Sequence, residues 1–160
     1  MALGDNTLRS AAGNSQRGRN PYMVQTTLNW ATALSDKGSA LAAADVVPVI
    51  AVAKGTMILN AGIEVDTATD GSTFTVDLGT GVDPDVFVDG FDATSAAAVV
   101  AQNPAVYQPV MAVADDNIDV TIATLSGGAV TSGKFRVWAV MMDCTDMGDT
   151  SANEVARDNA

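Results

Sequence analysis

The chain has 160 residues, no histidine and a formal net charge of −11 at pH 7. That length suits one domain. Apolar residues make up 48% of the chain, and most of them are Ala and Val. The acidic balance argues against nucleic acid as a partner, because phosphate binding needs clustered Lys and Arg. No apolar run approaches the ~20 residues of a membrane span, so we expect no membrane partner either.

Residues 1–21 predict an extended N-terminal arm. They are rich in Ser, Asn, Gly and Arg and show no apolar period, which is typical of a segment that does not fold alone. Residues 1–20 contain three arginines and one aspartate, so they carry +2 while the rest of the chain carries −13. We expect the arm either to fold back on its own domain or to clasp a neighbouring subunit or another protein.

Residues 22–143 contain short apolar runs with the period of β-strands. Phe74, Val76 and Leu78 alternate with polar residues and predict the clearest strand. Residues 57–65 alternate as well, with one predicted face made of Met57, Leu59, Ala61, Ile63 and Val65. The other predicted strands are residues 22–34, 46–53, 86–91, 106–113, 118–122 and 134–142.

The connections between these strands carry turn signals. Asp70-Gly71 predicts a hairpin between strands 57–65 and 72–79. Pro48 has no backbone N–H and cannot donate a hydrogen bond to a neighbouring strand, so strand 46–53 is expected at a sheet edge. Residues 35–44 predict a loop, with one helical turn as an alternative within it, and residues 93–102 predict either a loop or a helical turn. The predicted fold is an all-β antiparallel sandwich, jelly-roll-like, with a generic sandwich as the alternative. Residues 144–160 predict a polar, acidic C-terminal tail.

The residue types of familiar catalytic sites are missing. Without histidine the chain has no Ser-His-Asp or Cys-His arrangement and no His-based metal site. Cys144 is the one cysteine, and its acidic neighbours disfavour the reactive thiolate. Residues 79–81 read Gly-Thr-Gly but lack the third glycine and the helix of a dinucleotide site. We therefore predict no enzymatic activity and no cofactor.

The densest group of oxygen ligands consists of Asp83, Asp85, Asp89 and Asp92. Calcium favours several carboxylate and carbonyl oxygens on one loop. The spacing does not match the twelve-residue helix–loop–helix pattern, so solvated turn acids are the default interpretation. A calcium site remains the alternative.

Several segments carry a family resemblance through their order along the chain. They are residues 45–47, 53–59, 61–65, 76–81, 85–90 and 137–140. In this order the chain resembles the capsid decoration (cement) proteins of tailed bacteriophages, notably cyanophages, and related head-fibre modules. The resemblance implies a virion protein, made in the host cytoplasm, that binds the outer capsid surface as a trimer. It would bridge major capsid protein subunits and stabilise the shell without any catalytic residue.

Two other functions are compatible with the sequence. A head-fibre, knob or tail module for host attachment is the alternative within the same resemblance, and an enzyme or non-viral sandwich lacks a supporting motif. The predicted capsid or subunit contacts are Arg9, Arg17, Arg19, Tyr22 and Trp138. Arginine pairs with carboxylates through two parallel hydrogen bonds, and tyrosine offers a large contact area with a polar tip. The arginines could equally be solvated, and Trp138 could pack beneath a loop instead of at an interface.

Overall fold

The computed structural model describes residues 20–101 and 109–144 as two antiparallel sheets packed face to face. In chain order the described elements are β1 (Tyr22–Asn29), α1 (Trp30–Lys37), β2 (Val46–Val52), β3 (Thr56–Thr67), β4 (Thr73–Thr80), β5 (Val88–Asp92), β6 (Val99–Ala101), β7 (Val110–Met111), β8 (Asp116–Ser126) and β9 (Lys134–Asp143). The predicted arginines and most of the predicted tail lie outside the described residues, as do residues 106–108 of the predicted strand 106–113.

The strand order identifies the topology. The first sheet runs β1-β9-β3-β6, with β7 also paired to β3, and the second runs β2-β8-β4-β5. Every strand pair is antiparallel. The chain changes sheet at each connection except β4–β5 and β6–β7, so the wiring is jelly-roll-like. The predicted all-β sandwich is confirmed.

The core lies between the sheets and takes alternate residues from each strand. Phe74, Val76 and Leu78 on β4 are fully buried, as the alternation predicted. The ring of Trp30 packs edge-on against Phe74 and Phe135, with centroids 5.0 and 5.4 Å apart. Edge-to-face pairs of this kind each add about 0.5–1.5 kcal/mol beyond the area they bury.

Helix α1 corrects the prediction of one strand over residues 22–34. The side-chain oxygen of Asn29 accepts a hydrogen bond from the Ala31 amide at 3.0 Å and caps the helix start. Gly38 closes the helix in the left-handed conformation, at φ 69°. These two caps, together with the burial of Trp30 at the first helical position, outweigh the strand preference of the nearby threonines.

The Asp70-Gly71 turn does not form the predicted hairpin, because β3 and β4 belong to different sheets. The turn instead carries the chain across the sandwich. One carboxylate oxygen of Asp70 accepts hydrogen bonds from the amides of Thr131 and Ser132, at 2.8 and 3.1 Å. The other oxygen accepts from the Thr131 hydroxyl. The β3–β4 connection is thus held by the distant β8–β9 loop and not by strand pairing.

A bulge changes the inward face of β3. The register of β3 against β9 shifts between Ile58 and Asn60. Ile58 is consequently buried while Met57 and Leu59 are only half-buried, contrary to the predicted face. Beyond the bulge the predicted residues Ala61, Ile63 and Val65 are buried as expected.

Two further predictions concern the sheet edges. Strand β2 pairs only with β8 and its register is irregular after Pro48, so the expected edge position is confirmed. Residues 99–101 form β6 on the edge of β3, which corrects the loop or helical turn predicted over residues 93–102.

Candidate interaction surface

The structure places Tyr22 and Trp138, two of the five predicted contact residues, on the first sheet. Tyr22 is the first residue of the edge strand β1 and is 44% exposed. Trp138 lies mid-strand on β9, among the side chains that point away from the core. Tyr22 pairs with Met141, whose side chain is buried, so Tyr22 and Trp138 belong to opposite sides of the sheet. The two residues do not form one patch.

Trp138 packs across the neighbouring strand. Gly62 of β3 pairs with Trp138, and a Cβ at Gly62 would lie 2.4 Å from the Trp138 ring and 2.6 Å from the Val100 carbonyl oxygen. No side chain fits at such distances, so the glycine makes room for the indole. The half-burial of Trp138 therefore involves packing on β3, and the rest of the ring stays exposed on the outer face of the first sheet.

The outer face of the first sheet combines apolar and charged side chains. Met23 and Val99 are exposed large apolar residues on the strands that flank β9 and β3. Beside Trp138, Arg136 of β9 donates to Glu64 of β3 at 2.7 Å. An exposed ion pair of this kind contributes about 0–1 kcal/mol. This face therefore combines exposed apolar side chains with one described ion pair.

A second feature is an apolar cavity of about 250 Å³ between the sheets, at one end of the sandwich. We call it the end pocket. Its lining consists of Val52, Ile58, Thr80, Val82, Asp83, Val86, Val110, Met111, Ala112, Val113, Ala114, Asp116 and Asn117. Two of these residues, Val82 and Val113, are 86% and 77% exposed beside its mouth. Sequence analysis missed this site, although valines within acidic turn segments were a visible signal for it.

Carboxylates crowd the outer side of the second sheet. Burial raises the pKa of Asp77, helped by the charges of Asp89 and Asp85, although the Gly90 amide donates to Asp77 at 2.7 Å. Burial also raises the pKa of Asp119. Desolvation and neighbouring negative charges both disfavour the ionised form of these two aspartates. A neutral side chain at either position should therefore stabilise the fold relative to a charged one.

The four aspartates considered for calcium do not converge. Asp83 shares a hydrogen bond with Asp85, which together with burial and the Asp85 charge raises the pKa of Asp83. Asp92 accepts instead from the amide and hydroxyl of Thr94, and these bonds lower the pKa of Asp92. Within residues 20–101 and 109–144, no three acidic or cysteine side chains are arranged to hold a metal ion.

The remaining sequence features have structural roles. The Cys144 amide donates to the Gly55 carbonyl at 2.8 Å, and its free thiol is half-buried. The Gly-Thr-Gly segment, residues 79–81, ends β4 and leads into a loop whose backbone lies against Gly79. Its role is thus that of a turn. None of the helical structure described is long and apolar enough to cross a membrane.

Comparisons with known proteins place the fold among phage capsid chains. No protein-family model and no curated protein sequence matches this chain. A chain of the cyanophage Pam1 capsid asymmetric unit matches with a TM-score of 0.63 at 15% identity, over 88% of this chain and 97% of the other. A chain of the Ralstonia phage GP4 capsid matches with a TM-score of 0.54 at 17% identity, over 87% and 90%. The chain therefore shares its fold with capsid chains of two phages.

Proposed function

We propose that this protein is a viral structural protein, a decoration (cement) protein that binds the outer face of a phage head. The observation that carries the proposal is the end-to-end match of its fold with a chain of a cyanophage capsid asymmetric unit. The order of sequence segments that resembles phage decoration proteins supports the same function. A sandwich with no histidine and no described metal-ligand group suits a protein that acts by binding.

The outer face of the first sheet is the proposed shell contact. Trp138 supplies a large ring held in place by Gly62, and Met23 and Val99 extend the apolar area on either side. Rigid aromatic residues amid aliphatic ones are typical of interface centres. The acidic second sheet would then point away from the shell. In this arrangement the protein bridges major capsid protein subunits, as a trimer.

The basic arm is the second proposed contact. Arg9, Arg17 and Arg19 would pair with carboxylates of the shell or of a neighbouring copy on the particle, and Tyr22 lies where the arm meets β1. Planar bidentate pairing gives arginine an advantage over lysine in such contacts. Deletion of residues 1–19 should weaken binding to capsids, and full-strength binding by the truncated protein would remove the arm from the proposal.

Particle stability tests the proposed function directly. A protein that binds only the assembled shell stabilises it by mass action. Particles stripped of this protein should break at a lower temperature and at a milder osmotic shock, and adding the protein back should restore both thresholds. Unchanged thresholds would refute a cement function. A copy number far below that of the major capsid protein would favour a fibre or tail module instead.

The contact face has its own test with a matched control. Val99 on the first sheet and Val46 on the second are 61% and 54% exposed, so each tolerates a polar substitution. Val99→Ser should weaken binding to stripped particles about tenfold, because burying a valine contributes about 1.5 kcal/mol or more. Val46→Ser should bind normally. Equal binding by both variants would exclude this face.

A further inference from the structure

The size of the end pocket indicates what it can hold. At about 250 Å³ it lies below the ~300–1,000 Å³ of most small-molecule sites. It exceeds the ~150 Å³ of an apolar protein cavity that binds benzene. The pocket walls include the aliphatic side chains of Val52, Ile58 and Val110. The pocket therefore suits one or two aliphatic side chains of a polypeptide.

The rim of the end pocket favours a cation next to that aliphatic group. Asp83 and Asp116 both line the pocket, and no described Lys or Arg forms an ion pair with either of them. One oxygen of Asp116 accepts from the amides of Asn117 and Gly81, at 2.8 and 3.3 Å. Both bonds reach the same oxygen, so among the described residues the second oxygen of Asp116 accepts no hydrogen bond. A guanidinium placed at this rim would be attracted by both carboxylates, since opposite charges attract at close range.

The N-terminal arm contains one dipeptide with this combination. Within residues 1–20, Leu8-Arg9 is where a large aliphatic side chain directly precedes a cation. The opposite net charges of the arm, +2, and of the remaining chain, −13, add a general attraction between them. Leu3 provides a natural comparison, since glycine follows it and the next charged residue is the acidic Asp5.

The arm starts at the same end of the sandwich as the pocket. Tyr22 pairs with Met141, Met141 with Ile58, and Ile58 with Val110, which forms one row across the first sheet. Three strand spacings of ~4.8 Å separate the ends of this row by roughly 14 Å. The twelve Cα–Cα steps from Leu8 to Asn20 can span up to about 40 Å, so the chain is long enough for Leu8 to reach the end pocket.

We propose that in the free protein Leu8 inserts into the end pocket of its own chain and Arg9 pairs with Asp83 and Asp116. A short tether gives an effective concentration in the millimolar range, which favours this contact over the same contact from a second copy. The proposal concerns the purified protein, so it stands or falls independently of capsid binding.

Paramagnetic broadening in the full-length protein tests the proposal. A spin label is attached at Ser10→Cys in a Cys144→Ser background, and methyl resonances are recorded. Those of Ile58, Val82 and Val113 should broaden, while those of Leu28, near the end of β1 opposite Tyr22, should stay sharp. Leu8→Ser should lower the equilibrium constant for docking about tenfold or more, since it removes the buried aliphatic group. Leu3→Ser is the matched control and should leave the broadening intact.

Two further measurements identify the contact. Arg9→Ser and added salt should each weaken the broadening, because the ion pair at the rim is exposed. A mixture of isotope-labelled chains with spin-labelled, unlabelled chains should show no broadening if the contact is intramolecular. Sharp pocket methyls in the labelled full-length protein would overturn the proposal. So would broadening that survives Leu8→Ser, or broadening that appears only in the mixed sample.

Discussion

Replacing Asp70 with Asn should destabilise the sandwich at neutral pH and have no effect in strong acid. The carboxylate joins the β3–β4 turn to the β8–β9 loop through two amides and a hydroxyl. The side-chain hydrogen bond from Thr131, followed by the backbone bonds, lowers the pKa of Asp70 from 3.8 to about 2. At ~1.36 kcal/mol per pKa unit, this shift corresponds to at most about 2.4 kcal/mol of folding stability. Asp70 is exposed, so solvent screening reduces the expected contribution to about 1 kcal/mol.

The pH dependence follows from the direction of that shift. Because the folded-state pKa lies below the unfolded value, the stabilisation is fully present above about pH 4 and is lost as the pH falls toward 2. Urea unfolding at pH 7, 5, 3 and 2 should show a difference of about 1 kcal/mol between Asp70→Asn and the original chain, shrinking below pH 4. Asp66→Asn is the control, since Asp66 is an exposed β3 residue with no described partner, and should stay within about 0.5 kcal/mol. A pH-independent loss in Asp70→Asn would refute this account.

Two other substitutions test the packing and the acidic face. Asp119→Asn should raise the free energy of unfolding at pH 7, because burial and the nearby Asp116 raise the Asp119 pKa. This gain in stability should vanish below about pH 4, where Asp119 is protonated in both the folded and the unfolded state. A loss of stability at pH 7 would contradict this prediction. Gly62→Ala should cost about 1–3 kcal/mol, since its Cβ would overlap the Trp138 ring. Gln25→Ala, an exposed change on the same row of the sheet, is its control in the same urea experiment.

Alternating patterns predicted strands well where a strand keeps one buried face along its length. In β4 and β9 every second residue faces the core, so the sequence shows the period directly. In β3 the bulge at Ile58–Asn60 reverses the alternation, and the sequence contains no turn residue that marks it. The sequence contains both capping residues of α1, Asn29 and Gly38, but the threonines before and within the helix favoured a strand prediction.

The candidate surfaces were less accessible to sequence analysis. Trp138 was a predicted contact because of its type and its face, but its support by Gly62 depends on the pairing of β9 with β3, 76 positions apart. The end pocket gathers residues from β2, β3, β4, β7 and β8 and from two loops. Nothing local in those segments predicts that they meet, since each is an ordinary strand end or turn.

The sequence by itself determined the fold class, the acidic body, the basic arm and the absence of histidine chemistry, because composition and a two-residue period are local properties of the chain. Only the tertiary structure decided which strands share a sheet, where Asp70 is anchored and which apolar side chains surround a cavity. These depend on pairings between residues far apart in the chain, and such pairings are selected by the packing of two whole sheets against each other.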